Sequence, residues 1–110
     1  MILVALESPY AGDIDKNVEY ARQCVADSLV RGEAPIASHL LYTQPGILDD
    51  TVPAERKLGI EAGLLWARHA DYAVFYTDLG MSPGMKAAVK FYQRHCIPIY
   101  YRTLYPARRG

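Results

Sequence analysis

Apolar runs and amphipathic stretches alternate along this chain. Residues 2–7 are an almost continuous apolar run, which is typical of a strand that is covered on both faces. After loop residues 8–13, apolar residues recur at helical spacing over residues 15–31, and Gly32 ends that run. The pattern therefore predicts a buried strand followed by a helix.

The same alternation continues towards the carboxyl end. Residues 34–41 form a second apolar stretch that is interpreted as a strand, and a polar loop follows it. Asp50 or Thr51 is expected to cap the next helix, with Pro53 in its first turn. Beyond that helix, the pattern predicts a strand over residues 71–77, a helix over residues 83–95 and a strand over residues 97–102.

The predicted elements follow the order β-α-β-α-β-α-β. Such alternation favours a mainly parallel four-stranded sheet with right-handed crossovers and three or more helices. We therefore expect one α/β domain that spans residues 1–110. In open sheets of this kind, ligands bind beyond the carboxyl ends of the strands, so the loops at that edge hold the candidate site.

The turn between the third strand and the last helix is the most informative of these loops. Asp78 ends the strand, Gly80 lies in the turn, and Ser82 with the proline after it opens the helix. Free backbone N–H groups and the positive end of a helix dipole suit a phosphate or another anion. Ser82, Gly84 and Met85 form the candidate anion cradle, although ordinary helix capping also explains them.

Further candidates come from the other loops at this edge. Asp78 is well placed for a ribose hydroxyl or a base edge, with a turn-forming role as the alternative. Ser8 and Tyr10 follow the first strand, where ligand contact competes with turn capping and loop packing. His39 can contact a ligand or titrate near neutrality. Arg56 can supply positive charge, and an exposed ion pair is the simpler interpretation of it.

Composition removes several classes of partner. Twelve Lys and Arg residues balance twelve Asp and Glu residues, which gives no global field for nucleic acid or an anionic membrane. Cys24 and Cys96 have no metal-site spacing, so we expect two buried, reduced thiols, no metal and no cofactor. No signal sequence or membrane-spanning run is evident, which predicts a cytoplasmic protein, in the host cytosol if the chain is viral.

The chain carries three short motifs. They are Ser8-Pro9-Tyr10 with Ser38-His39, Glu55-Arg56 with Gly59, and Asp78-Leu79-Gly80 with Ser82 and Gly84-Met85. Together they resemble the nucleoside 2-deoxyribosyltransferase-like superfamily, and in particular its small phage and bacterial domains. The resemblance implies a flavodoxin-like or Rossmann-like three-layer sandwich, a homo-oligomer and a pocket for a nucleoside or nucleotide.

The enzymes of that superfamily cleave or transfer at the N-glycosidic bond. The resemblance matches Tyr10 to the tyrosine that positions their catalytic Glu, and Asp78 to the acid that contacts the base. The catalytic Glu itself has no counterpart, because residues 84–89 contain no carboxylate. The sequence thus favours a nucleotide-binding protein that senses or sequesters its ligand. A phage protein that traps an ADP-ribose-type or cyclic nucleotide signal is one form of it.

Two alternatives stay open. N-glycosidic chemistry needs two carboxyl groups in distinct environments. With Glu55 or Asp78 as the catalytic acid, the chain would be a nucleoside 2-deoxyribosyltransferase or a deoxynucleoside 5′-phosphate N-glycosidase. The other acids weighed for this role are Glu7, Asp13 and Glu61. The remaining alternative is an interaction module with a relict pocket.

Overall fold

The structure, a computed structural model, describes residues 1–105 and contains one sheet of four parallel strands. The strands lie in the order β2-β1-β3-β4, which confirms the expected α/β class with a parallel four-stranded sheet. The strands are β1 (Ile2–Glu7), β2 (Glu33–Ile36), β3 (Tyr72–Tyr76) and β4 (Ile99–Arg102). The helices are α1 (Ile14–Val30), α2 (Ser38–Leu41), α3 (Pro53–Ala67) and α4 (Pro83–Arg94).

The two central strands are buried on both faces, and alternate residues face different helices. Ala5 and Phe75 pack in a cluster with residues of α4 and the end of α3. Leu6, Val74 and Tyr76 pack in a second cluster with residues of α1. This two-sided burial explains why both central strands are continuously apolar in sequence. It also means that neighbouring positions on a strand face opposite sides of the sheet.

The prediction of a strand over residues 34–41 is wrong in its second half. The strand ends at Ile36, and the chain turns at once into the short helix α2, where the backbone N–H groups of Leu40 and Leu41 donate to the carbonyl of Ala37 at 3.0 and 2.9 Å. A short apolar run does not distinguish a strand from a helical turn. His39 consequently lies on a helix rather than after a strand.

The prediction that Asp50 or Thr51 caps α3 is also wrong. Val52 occupies the N-cap position and makes no side-chain cap bond, while Pro53 starts the helix as expected. The preceding loop is held by Asp49, whose carboxylate accepts from the backbone N–H and hydroxyl of Thr51 at 2.9 and 2.6 Å. That local turn uses the polar groups that the sequence assigns to the cap.

The expectation of two buried thiols holds for Cys24 alone. Cys24 lies on the buried side of α1, whereas Cys96 is exposed in the turn after α4, with a φ of 56°.

Within residues 1–105, no helix is long and apolar enough to cross a membrane.

Candidate functional site

A cavity of about 310 Å³ lies at the carboxyl edge of the sheet. Its walls come from the loop after β1, from α2 and the loop that follows it, from α3, and from the first part of α4. Ligand sites in proteins commonly measure roughly 300–1,000 Å³, so the space suits a small molecule. The cavity occupies the place where ligands bind in open parallel sheets.

Most of the residues predicted from sequence meet in these walls. The sheet edge and the three helices bring together side chains that lie far apart in the chain. Those that line the cavity are Ser8, Tyr10, His39, Glu55, Arg56, Ser82, Gly84 and Met85. Asp78 and Gly80 do not line it.

The start of α4 is fixed by its own capping bonds. Ser82 accepts a hydrogen bond from the backbone N–H of Met85 at 3.2 Å, and its carbonyl accepts from the N–H of Lys86 at 3.0 Å. Pro83 has no N–H to offer. Within the described residues, the N–H of Gly84 is therefore the one in the first turn of α4 that makes no capping bond. This helix start offers an anion fewer donors than the sequence alone suggests.

Two strongly desolvated polar residues join β1 to α2. The hydroxyl oxygen of Ser8, which is almost fully buried, lies 2.6 Å from Nε2 of His39. Burial lowers the pKa of His39 to about 4, so its imidazole is neutral at physiological pH. A neutral imidazole offers a hydrogen bond rather than a charge to whatever occupies the cavity.

Glu7, which the sequence offered only among several other acids for the catalytic role, lines the cavity. It ends β1, and its Oε1 accepts a hydrogen bond from the Tyr92 hydroxyl of α4 at 2.6 Å. Glu7 forms no ion pair with any of the residues 1–105. Burial raises the pKa of its carboxyl to about 7, against the opposing effect of the Tyr92 hydroxyl. Its remaining exposed surface belongs to the cavity wall.

A signal for Glu7 was present in the strand pattern. Ala5 packs against α4, and side chains two positions apart on a strand share a face. An acid at position 7 is therefore directed towards the same side as α4. Finding it requires knowledge of which helix covers which face.

Asp78 lies at the same edge of the sheet but belongs to the opposite face. Its carboxylate accepts hydrogen bonds from the Tyr20 hydroxyl at 2.6 Å and from the backbone N–H groups of Leu104 and Tyr105 at 2.9 and 3.2 Å. Burial opposes ionisation, but these donors outweigh it and hold the pKa of Asp78 below its usual range. Asp78 thereby ties the segment after β4 to α1.

Gly80 serves the turn that follows Asp78. Its φ is +84°, a conformation that residues with a side chain rarely adopt. Its backbone N–H donates to the carbonyl of Thr77 at 2.9 Å. The structure thus gives Gly80 a backbone role.

Glu55 and Arg56 lie where α3 begins, beside the loop of residues 49–52. Glu55 accepts from the backbone N–H of Asp49 at 3.2 Å, and Arg56 pairs with Asp50 at 3.4 Å. Arg56 is nearly half exposed, so this ion pair contributes little to stability. Arg56 lines the cavity, and its exposed side chain is accessible to a ligand there.

Gly63 lets α3 approach α2 closely. A Cβ atom at position 63 would collide with the side chain of Ser38, coming within 2.7 Å of its Cβ. Gly63 and Ser38 both line the cavity, so this contact sets part of its shape. At Gly59, four residues earlier, an added Cβ would meet only the end of the Leu48 side chain, at 3.1 Å.

Comparison with solved structures identifies a protein of similar fold. It is a 2-deoxyribosyltransferase from the psychrotolerant bacterium Bacillus psychrosaccharolyticus, with a TM-score of 0.56. The match has 14% sequence identity and covers 98% of this chain and 77% of that chain. It confirms, at the level of the fold, the resemblance that the sequence motifs indicate.

Sequence comparison assigns the chain to a family. No curated protein matches it significantly. Residues 2–102 match the family model described as "Domain of unknown function (DUF7768)". The chain therefore belongs to the DUF7768 family.

Proposed function

We propose that this protein binds a nucleoside or nucleotide in the cavity and holds it intact, as a sensor or a sequestering protein. The observation that carries the proposal is the cavity itself, which gathers polar candidates from the loop after β1, from α2, from α3 and from the start of α4 at the ligand-binding edge of a parallel sheet. The similarity of fold to a 2-deoxyribosyltransferase supports the nucleoside class of ligand.

The lining of the cavity suits the two parts of such a ligand. Leu64, Met85, Ala88 and Phe91 provide apolar surface against which a flat heteroaromatic base can pack. Arg56 provides positive charge at the start of α3, where a sugar phosphate can reach it. The base would then lie inside and the sugar or phosphate towards the mouth.

The side of α4 that faces the cavity favours binding of an intact nucleotide over cleavage of its N-glycosidic bond. No side chain on that side of α4 can attack a carbon or transfer a proton; the residues there are Pro83, Gly84, Met85, Ala87, Ala88 and Phe91. Binding without turnover is the expected behaviour of such a wall.

Thermal unfolding with nucleosides, nucleotides, cyclic nucleotides and ADP-ribose tests the proposal. A ligand at about one hundred times its Kd should raise the Tm by about 10 °C. Ala87→Trp places a large ring in the cavity wall and should abolish the shift. Lys90→Trp, which adds the same ring at an exposed position of α4 outside the cavity, should preserve it. Mass spectrometry should recover the ligand unchanged.

Two outcomes would count against the proposal. One is the absence of any shift with every compound at millimolar concentration. The other is a shift that Ala87→Trp leaves intact, since binding would then take place elsewhere. An equal loss in both tryptophan variants would indicate general damage to α4 and would remove the support that Ala87→Trp gives.

A second candidate function is supported by two of the three acids that line the cavity, Asp50 being paired with Arg56. Glu7 is desolvated and Glu55 lies at the start of α3, so the cavity holds two carboxyl groups in different surroundings. Such a pair is what a nucleoside 2-deoxyribosyltransferase or a deoxynucleoside 5′-phosphate N-glycosidase requires. Release of free base that Glu55→Gln abolishes and Asp78→Asn preserves would favour the enzyme. No base after long incubation at high protein concentration would exclude it for the substrates tried.

A further inference from the structure

The carboxyl group of Glu7 has one oxygen that accepts a hydrogen bond from the protein and one that accepts none from the described residues. Oε1 accepts from the Tyr92 hydroxyl, and no other hydrogen bond to Glu7 is formed by the described residues. Among those residues, no fully enclosed side-chain oxygen or nitrogen lacks a partner, so Oε2 has accessible surface. Since Glu7 lines the cavity, Oε2 is the atom that a ligand would meet.

The surroundings of Glu7 favour its neutral form. The titratable and charged groups around the cavity are Tyr92 from α4, His39 from α2, Glu55 and Arg56 from α3, and Tyr10, Tyr42 and Asp50 from the loops. Of these, Tyr92 bonds Glu7, His39 is held by Ser8, and Arg56 pairs with Asp50. A carboxyl with one donor and no paired cation in a desolvated site retains its proton to higher pH. Burial accordingly raises the pKa of Glu7 to about 7.

We propose that Glu7 recognises the base of the bound ligand by donating a hydrogen bond from a protonated Oε2 to an unprotonated ring nitrogen. The Tyr92 hydroxyl donates to Oε1, which leaves the proton of the neutral acid on Oε2. A ring nitrogen with a free electron pair accepts that proton's hydrogen bond without itself changing charge. This inference rests on the proposed function and adds the residue that selects the base.

The neutral acid predicts a specific dependence on pH. Affinity should fall about tenfold between pH 6 and pH 8, because the fraction of protonated Glu7 falls by that factor around a pKa of about 7. His39 does not titrate in this window, since burial lowers its pKa to about 4. Glu7→Gln keeps both an acceptor for Tyr92 and an N–H donor for the ligand, so its affinity should be high and independent of pH.

Calorimetric titration with the 5′-monophosphates of adenosine, guanosine and cytidine tests the inference. The ligand that binds best is then compared with analogues in which one ring nitrogen is replaced by C–H. One such analogue should bind wild type about tenfold more weakly at pH 6. Glu7→Leu should lose about the same factor towards the parent ligand and should no longer distinguish the analogue. Circular dichroism and thermal unfolding verify that both variants fold.

The outcomes separate this inference from the proposed function. Binding that is equal at pH 6 and pH 8, or a Glu7→Leu variant that still distinguishes the analogue, overturns the role of Glu7 and leaves ligand binding intact. If none of the nucleotides binds, and no compound of the thermal screen gives a shift that Ala87→Trp removes, the proposed function fails, and the role of Glu7 fails with it. Loss of affinity in Glu7→Gln equal to that in Glu7→Leu also overturns the inference, because the amide retains the donor.

Discussion

Glu7 and Asp78 are acids at the carboxyl ends of the two central strands, but their surroundings differ. Asp78 accepts a tyrosine hydroxyl and two backbone N–H groups, which lower its pKa. Glu7 has one tyrosine hydroxyl and otherwise faces the cavity, and burial raises its pKa. The sequence favours Asp78 as the ligand-binding acid, whereas the structure brings Glu7 to the cavity. The comparison shows that the face of the sheet, rather than the end of the strand, decides the role.

A third acid, Glu33, lies on the α1 side of the sheet and has several hydrogen-bond partners. Glu33 accepts hydrogen bonds from Arg102 at 2.8 and 3.0 Å and from the hydroxyl groups of Ser28 and Tyr72. The Arg102 guanidinium is the main reason why the pKa of Glu33 falls to about 2. The acids beneath α1 are thus fully partnered and structural. Glu7, on the cavity side of the sheet, accepts a hydrogen bond from Tyr92 alone among the described residues. Its second carboxyl oxygen is therefore available to a ligand.

Breaking the Glu33–Arg102 pair should have the largest effect on stability. Arg102→Met leaves a nearly buried carboxylate without its cation and should cost about 3 kcal/mol of unfolding free energy. Arg31→Met removes the exposed pair with Asp27 and should cost below about 1 kcal/mol. Urea denaturation measures both. Equal losses in the two variants would show that burial of Glu33 is not what makes its pair important.

Asp78→Ala should lower stability and leave ligand binding unchanged. Loss of its carboxylate removes the acceptor of Tyr20, Leu104 and Tyr105 and should cost about 2 kcal/mol. Affinity for the ligand, measured well below the Tm, should stay within twofold of wild type. Glu61→Ala, which removes an exposed acid, is the stability control. A tenfold loss of affinity at unchanged stability would return Asp78 to the binding site.

Glu7→Gln should increase stability at alkaline pH. The folded-state pKa of Glu7 is about 7 and its ordinary value is 4.5, so the folded protein binds more protons between these values and becomes less stable as pH rises. Removing the ionisable group should therefore add about 3 kcal/mol at pH 8 and almost nothing at pH 4. Urea denaturation across this range measures the difference. A constant difference at all pH values would contradict the raised pKa.

His39→Gln should have the smallest effect on stability near neutral pH. It should remove a pH dependence of the unfolding free energy that is opposite in sign to that of Glu7. The folded-state pKa of His39 is about 4 against an ordinary 6.5, so the unfolded chain binds more protons in this interval and stability rises with pH. The variant should lose this dependence, which amounts to about 2 kcal/mol at pH 5 and almost nothing at pH 7. Because Glu7 and His39 act in opposite directions, wild type should show a flatter profile than either variant. If the unfolding free energy of the variant depended on pH as that of wild type does, desolvation of His39 would be contradicted.

The sequence determined the class of fold and much of the position of the site. Two-sided burial made the central strands recognisable, and Ser82 with Pro83 fixed the start of α4 through chemistry that acts within one turn. The parallel order of the elements placed Ser8, His39, Glu55 and their neighbours at one edge. These features depend on local pattern and connectivity, which a single chain displays directly.

Tertiary structure alone decided that Glu7, rather than Asp78, faces the cavity. The two faces of β1 and β3 are both apolar in sequence, so nothing in the pattern shows which helix covers which face. Asp78 meets Tyr20 and the backbone after β4 only because α1 and β4 converge there. Glu7 remains with one partner because α4 presents Tyr92 and no cation within ion-pair distance among the described residues. Protonation follows from this long-range packing, since desolvation and donors, rather than the residue type, set the pKa.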